Sequence, residues 1–538
     1  MTYHTGRASI SLGTRDILTL GALVTAGILA ALYYADYWFL GGHRKQIVLF
    51  VILSYAIFRG VARGVFSWAC VLFASFPRSR PLPRELAVDV LTTAMPGEPY
   101  EMFEQTLAAI QNMRYPHQTY LLDGGNDQRL RLLCDRLGVH HIDARGIEGA
   151  KAGKVNFCLR HHARGDFVLI IDPDHIPEPD FLDRTLGQFS DERVGFVQAV
   201  QAYYNVNRSL VSRAAAEQTY GFYGPTMIGL NGMGIPLAIG ANCLFRRAAL
   251  DSIGGHAESL AEDVNTSLRI HAAGWKSVYV PYRASYGLAP EELHTFFKQQ
   301  LKWSKGMFSL FFGEYWRLFW RLPLQAKLYY FFAGTFYLHG LVTALTIALP
   351  IIFLFAKIFA VEMPLDGFLV HLTPYVVMTL AINQYLQRWY SDPSERVFPY
   401  RTMVLEKGTW YVYSLGLVYA LMGRNVLYLP TPKSPRAGRA VRLVVPHMAA
   451  VALSAAAIAF TLLTYQRIDQ GTVLMIFFAS VNIVILTPTI AVGLRKTAAA
   501  GDQAGQAAAA LETARAAASG EIPAAVSAAP GTGERHAD

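Results

Sequence analysis

Along the chain, long unbroken apolar runs flank one broad stretch in which apolar residues come in short groups. Residues 17–40 and 46–75 are almost continuously apolar, and apolar runs return near 329–356, 366–386, 444–465 and 472–494. Each of the last four holds about 20 residues or more, enough for a helix to cross a hydrocarbon core of roughly 30 Å. The pattern predicts an integral membrane protein with six spanning helices, two before the mixed stretch and four after it. The first run ends in YYADYWFL, an aromatic belt without a small-residue cleavage site, and so reads as a retained helix rather than a signal peptide. Arg59 and Arg63 interrupt the second run, which is expected to form one long helix whose second half approaches the interface.

Between about 84 and 290 the period changes. ELAVDVLTT, QTYLLDGG, HHIDARG and FVLIIDPD read as strands, and MFEQTLAAIQNM and DQRLRLLCDRLG as amphipathic helices. This alternation predicts a doubly wound, mostly parallel sheet covered by helices, with ligands bound outside the carboxyl ends of the strands. The run Phe167–Ile171 then stops abruptly at Asp172 and Asp174, one residue apart, with His175 beside them. Two carboxylates so close repel each other unless a cation lies between them. Capping of a following helix explains one aspartate and not both. Asp123 of LLDGGND ends another strand on the same rim. Glu262 and Asp263 of LAEDVNTSLRI add two more acids, although a cap on a helix closing at Gly274 accounts equally well for Asp263.

In FFKQQLKWSKGMF, Gln299, Lys302 and Trp303 stand at i, i+3 and i+4 and share one helix face. An interfacial helix anchored by Lys and Trp at headgroups has the same look. The later QYLQRW, Gln384 to Trp389, ends an apolar run with different spacing and reads as membrane anchoring only. The stretch 291–328 is expected to lie in the interface with its aromatic face toward lipid or a channel.

Net charge is +9, but the basic residues cluster in RSRPLPR and SPRAGRAVR beside apolar runs. Retention of positive charge at the membrane accounts for them, and no nucleic-acid partner is expected. Cys70, Cys134, Cys158 and Cys243 form no metal-binding spacing and fit reduced thiols. The Ala-rich segment 497–538 has almost no large apolar residue to bury and is expected to be disordered.

The order of these groups resembles the processive family-2 glycosyltransferases, in particular the bacterial cellulose synthase catalytic subunit. That order is a strand-end Asp, Asp-x-Asp, Glu-Asp before a helix, then Gln-x-x-basic-Trp between membrane helices. The resemblance runs from about 84 to at least 435 through AKAGKVN, GFYG, FRRAALDSIGG, GWKSVYV and YLPTPK. It implies an α/β GT-A-like transferase domain inserted in an all-α transmembrane bundle. The implied organisation is N-terminal membrane helices over 1–80 and a cytosolic transferase domain over 84–290. Interfacial helices over 291–328 follow, then a C-terminal bundle over 329–496 with an interfacial helix at 402–423 and a gating loop at 425–440.

The resemblance also implies roles. Asp263 would be the catalytic base. Asp172 and Asp174 would hold Mg²⁺ or Mn²⁺. Asp123, Lys151, Asp172, Gln299, Lys302, Thr431 and Lys433 would contact the nucleotide, and Trp303 and Glu262 the acceptor. Partners would be a nucleotide-sugar donor, the growing polysaccharide, the lipid bilayer and periplasmic or other accessory export subunits.

The expected activity is inverting, processive polymerisation of UDP-glucose into a β-linked polysaccharide, with export across the inner membrane. A non-processive transferase loading one sugar onto a lipid carrier, and a catalytically silent export or scaffold subunit, are the alternatives. Lys302 stands where the family has Arg, which removes the bidentate fork to phosphate but keeps the charge. TTAMPGE, the single Asp123 and Ala238–Asn242 also depart from the family pattern, and they leave sugar and linkage open. No regulatory PilZ domain follows residue 494, so in-chain activation by cyclic di-GMP is not expected.

Overall fold

The computed structural model describes residues 9–78, 85–358, 360–424 and 439–495, together with Thr2–His4 and Pro81. Thr431 and Lys433 of the expected gating loop, and the Ala-rich segment, lie outside the described residues.

Eight strands form one sheet: β1 Val88–Ala94, β2 Gln118–Asp123, β3 His140–Asp143, β4 Phe167–Ile170, β5 Ile176–Pro177, β6 Val194–Tyr203, β7 Cys243–Arg246 and β8 Lys276–Gly287. Their spatial order is β3-β2-β1-β4-β7-β6-β8-β5. The pairs β3/β2, β2/β1, β1/β4 and β6/β8 are parallel. The pairs β4/β7, β7/β6 and β8/β5 are antiparallel. The sheet is therefore mixed, with β7 inserted against the parallel grain at its centre.

Both faces are covered. Val90, Leu121, Leu169, Val197 and Leu244 pack in one apolar cluster, while their sequence neighbours Leu91, Leu122, Ile170, Phe196 and Phe245 pack in another. Successive side chains on a strand point to opposite faces, so a sheet buried on both sides needs continuous apolar strands. This is why the strands were legible as unbroken runs.

Among the described residues, six helices are long and apolar enough to cross a membrane: Thr14–Leu40, Ile47–Val71, Leu324–Ala356, Leu365–Trp389, Val441–Thr464 and Gln470–Leu494. That distribution, two before the sheet and four after, is the one the apolar runs predict. The stretch 402–423 is not one helix: it divides into Tyr400–Gly408 and Trp410–Leu421, with Thr409 between them. The second has 12 residues, short of the roughly 20 a crossing requires. The arginines of the second helix are accommodated by neighbouring chain. Arg59 donates to the carbonyls of Thr335 and Phe336, and the Arg63 guanidinium stands 4.2 Å over the Phe336 ring.

The segment after the fourth long helix turns back onto the sheet domain. Arg283 of β8 meets Asp392 at 3.0 Å and Glu395 at 2.5 Å, and its Nε donates to Ser391 Oγ at 3.1 Å. Trp389 is only 1% exposed. The membrane-anchoring reading of QYLQRW is thus overturned. A tryptophan enclosed by protein cannot sit among headgroups, and the spacing of apolar residues does not distinguish protein from lipid as the neighbour.

Candidate active site

The site assembles at the carboxyl ends of the strands. Strand β4 is fixed on both sides by β1 and β7, so the chain leaving it delivers Asp172 and Asp174 to a defined position on the rim. Asp172, Asp174 and His175 each offer a ligand atom, all within 4.8 Å of one another. His175 Nδ1 lies 3.3 Å from Asp174 Oδ1. Among the described residues its other nitrogen is buried without a hydrogen bond, against Gly287 of β8, where an added Cβ would stand 2.4 Å from the imidazole ring. The loop is therefore wedged between its own strand and β8. Carboxylate oxygens and a ring nitrogen at that spacing suit one hard divalent cation. The sequence named the two aspartates as metal ligands but assigned no role to His175, though it was visible in the same tetrapeptide.

Lys151 opens the helix Ala150–His161 and reaches the same rim. Its ammonium donates to Asp172 Oδ1 at 2.5 Å and to the Gly240 carbonyl at 2.6 Å. Burial raises the Asp172 carboxyl, but Lys151 and His175 outweigh that and hold it below its usual value. An added Cβ on Gly240 would stand 3.6 Å from Asp263 Oδ2 and 4.0 Å from Asp172 Oδ2, so the two carboxylates face one space.

Asp263 lies inside the first turn of the helix Glu262–Ala272 rather than at its cap. Its Oδ1 accepts the adjacent Val264 N–H at 2.7 Å. Burial, reinforced by the neighbouring Glu262 charge, pushes its pKa up to about 7, against the pull of that N–H, Lys151 and Lys302. A carboxylate held near neutrality can take a proton during a reaction and release it afterwards.

The helix Leu293–Leu310 places Gln299, Lys302 and Trp303 on the same cavity as Lys151, Asp172, Asp174, Glu262 and Asp263. Trp303 is 40% exposed, a large apolar ring held open to it. The cavity measures about 780 Å³, and its wall continues through Arg63, Phe66, Tyr329, Phe332, Tyr337 and Asn383 of the long helices.

Asp123 is not brought into this cavity. It is buried at the end of β2, where its carboxylate accepts the Gly125 and Asp127 N–H groups at 2.7 and 2.6 Å. His141 Nε2 lies 3.0 Å from its second oxygen. A strand-end aspartate looks the same in sequence whether its oxygens turn outward or back onto their own loop.

A mixed α/β sheet with a metal-competent acidic rim opens on a cavity that also meets three of the membrane-length helices. Residues 167–386 match the family described as glycosyl transferase family group 2, and the chain carries a glycosyltransferase family 2 domain. It is 31% identical over 243 residues to a cellulose synthase 1 catalytic subunit (UDP-forming) of Komagataeibacter xylinus, covering 44% of this chain and 32% of that one. It is 29% identical over 240 residues to the cellulose synthase catalytic subunit (UDP-forming) of Xanthomonas axonopodis pv. citri, covering 42% and 33%. The chain thus spans about a third of the length of these curated relatives. Among solved structures, the mannosyltransferase PcManGT of Pyrobaculum calidifontis, in complex with GDP-Man and Mn²⁺, is similar with a TM-score of 0.49 and 16% identity, over 71% of this chain and all of that one.

Proposed function

We propose that the chain is an inverting, processive glycosyltransferase that extends a β-linked polysaccharide from a nucleotide sugar, with UDP-glucose as the expected donor. The polymer would pass through the helix bundle as it grows. The observation that carries the reading is one cavity that begins at the acidic rim and reaches the sheet-proximal ends of three membrane-length helices.

In this reading the acceptor hydroxyl oxygen attacks the anomeric carbon from the face opposite the diphosphate. Asp263 takes the hydroxyl proton as the new C–O bond forms. The bond to the diphosphate breaks, its electron pair leaves with the phosphate oxygen, and the configuration inverts. Gln299 and Lys302 meet the departing diphosphate, Lys302 as a point charge. Lys151 holds Asp172 in place, and Trp303 presents its ring to the terminal sugar. Asp172 and Asp174, with His175, would hold Mg²⁺ or Mn²⁺. Such an ion neutralises charge on the diphosphate. The domain boundaries at 84–290, 291–328 and 329–496 follow from the same reading; Thr431 and Lys433, expected to contact the nucleotide, lie outside the described residues.

Two membrane-length helices between the sheet domain and residue 390 would, as spans, return the segment 390–424 to the sheet's side of the membrane. The Arg283 contacts to Asp392 and Glu395 independently support that parity. Nucleotide sugars are cytosolic, so the catalytic domain is assigned to the cytosolic side of the inner membrane.

Incorporation of labelled sugar by the purified protein in vesicles, with a panel of nucleotide sugars and Mg²⁺ or Mn²⁺, tests the proposal. High-molecular-weight product from UDP-glucose supports it; label confined to organic-extractable lipid replaces it with the lipid-carrier reading. The metal assignment has its own readout. Asp174→Asn should weaken Mn²⁺ binding by at least the roughly 10–100-fold that loss of an outer-shell partner costs, with Gly287→Ala, which drives a methyl into His175, inside that range. Calorimetric titration of Mn²⁺ checks both, and unchanged affinity in Asp174→Asn removes it from the metal site.

A further inference from the structure

The turn that ends the fourth long helix has a use beyond joining elements. Gln387 and Tyr390 both line the cavity that holds Asp263 and Trp303. Tyr390 lies on the GFYG segment: a Cβ on Gly224 would stand 2.9 Å from the Tyr390 ring and 3.2 Å from the Trp389 carbonyl, and one on Gly221 3.7 Å from the Tyr390 hydroxyl. The absence of a side chain at Gly224 is what admits the tyrosine, whereas a Cβ at Gly221 would make only an ordinary contact. Within the same segment, Tyr223 is close enough to Asp263 and Asp172 to feel their charge, and its hydroxyl donates to Gln201 Oε1 at 3.3 Å. Tyr390 therefore packs on the segment that carries Tyr223 and lines the same cavity as the reacting carboxylates.

Its place is firmly set. Ser391, Asp392 and Glu395, which follow it directly, are all buried and converge on Arg283 of the sheet. Gln387 is fixed from the other side by donating to the Val397 carbonyl at 3.1 Å. Burial, with the Glu395 charge, pushes the Tyr390 phenol up to about 12, so it stays a neutral hydroxyl donor throughout the physiological range. A rigid aromatic face with a polar tip, opening on a cavity, suits a ligand with an apolar ring face and hydroxyls at its edge.

We infer that Gln387 and Tyr390, clamped by the Arg283 cluster, form a second acceptor-contacting wall that binds the polyhydroxyl ring of a sugar unit in addition to the contact at Trp303. The inference rests on the glycosyltransferase reading above.

The test is binding of a β-1,4-linked glucose hexasaccharide to the full-length protein in nanodiscs, with UDP plus Mn²⁺ measured in parallel. Tyr390→Ala is expected to weaken the hexasaccharide about tenfold or more, as loss of a buried aromatic contact implies, and to leave UDP binding intact. Retained UDP binding also reports that the variant folds. Tyr390→Phe, which keeps the ring, is expected to lose less than Tyr390→Ala. Equal hexasaccharide affinity in wild type and Tyr390→Ala overturns the inference. So does a wild-type protein that binds UDP and not the hexasaccharide, while the transferase reading stands. A wild type that binds neither brings down the transferase reading and this inference together.

Discussion

Asp263→Asn is expected to lower polymer formation by about 10²–10⁴-fold, the usual worth of a positioned general base. Asparagine keeps the shape and the acceptor oxygen toward the Val264 N–H, so the fold and donor binding should survive and the loss should fall on turnover. The pH profile separates this role from a structural one. The base works only when deprotonated, and burial beside Glu262 holds its pKa at about 7. Wild-type activity should therefore be low in acid, climb as pH passes about 7, and then level off. An ordinary exposed aspartate would have finished that climb near pH 4–5. Initial rates of labelled-sugar incorporation across pH 5–9 check it. A profile already flat at pH 6, or a variant that still makes polymer at a comparable rate, would remove Asp263 from the chemistry.

Arg283→Met should cost about 3–5 kcal/mol of stability, because it strands two carboxylates in a protein interior. Asp392 and Glu395 are both buried, and burial already raises the Glu395 carboxyl, with Arg283 its principal counterweight. Losing the cation therefore forces protonation of the acids or release of the segment from the sheet. Thermal unfolding of the detergent-purified protein should show a lowered midpoint. Adding Asp392→Asn and Glu395→Gln to Arg283→Met should recover most of the loss, since neutral side chains of the same shape carry a far smaller desolvation cost. If the triple variant is no better than the single one, the cluster is not held by charge.

These two variants probe different levels of the sequence. Asp263 was legible because its acid stood beside Glu262 at the start of a helix in a fixed order after the Asp-x-Asp pair. The resemblance then gave that order a meaning. Arg283 was not legible at all. Its partners lie over 100 residues away, and an arginine in a strand carries no mark of what it will meet. Trp389 shows the same gap from the other side. An aromatic at the end of an apolar run is compatible with lipid or with protein, and the turn back onto β8 decides between them.

What the sequence determined by itself is what local period and residue type encode. The six membrane-length helices follow from the length of apolar runs, because backbone hydrogen bonds in hydrocarbon must be closed within a helix. The strands of the sheet follow from short apolar groups buried on both faces. Asp172 and Asp174 follow from their spacing at one strand end and the Gln299–Lys302–Trp303 face from one helix turn, while Asp263 took its meaning from the resemblance. Tertiary structure alone decided which strand ends open onto the cavity. It turned Asp123 inward onto its own loop, set β7 antiparallel in the middle of the sheet, and brought His175, Gly287, Arg283 and Tyr390 to the same neighbourhood. Such contacts join residues far apart in the chain, and their energies depend on shape and dielectric at the meeting point, which no single segment specifies.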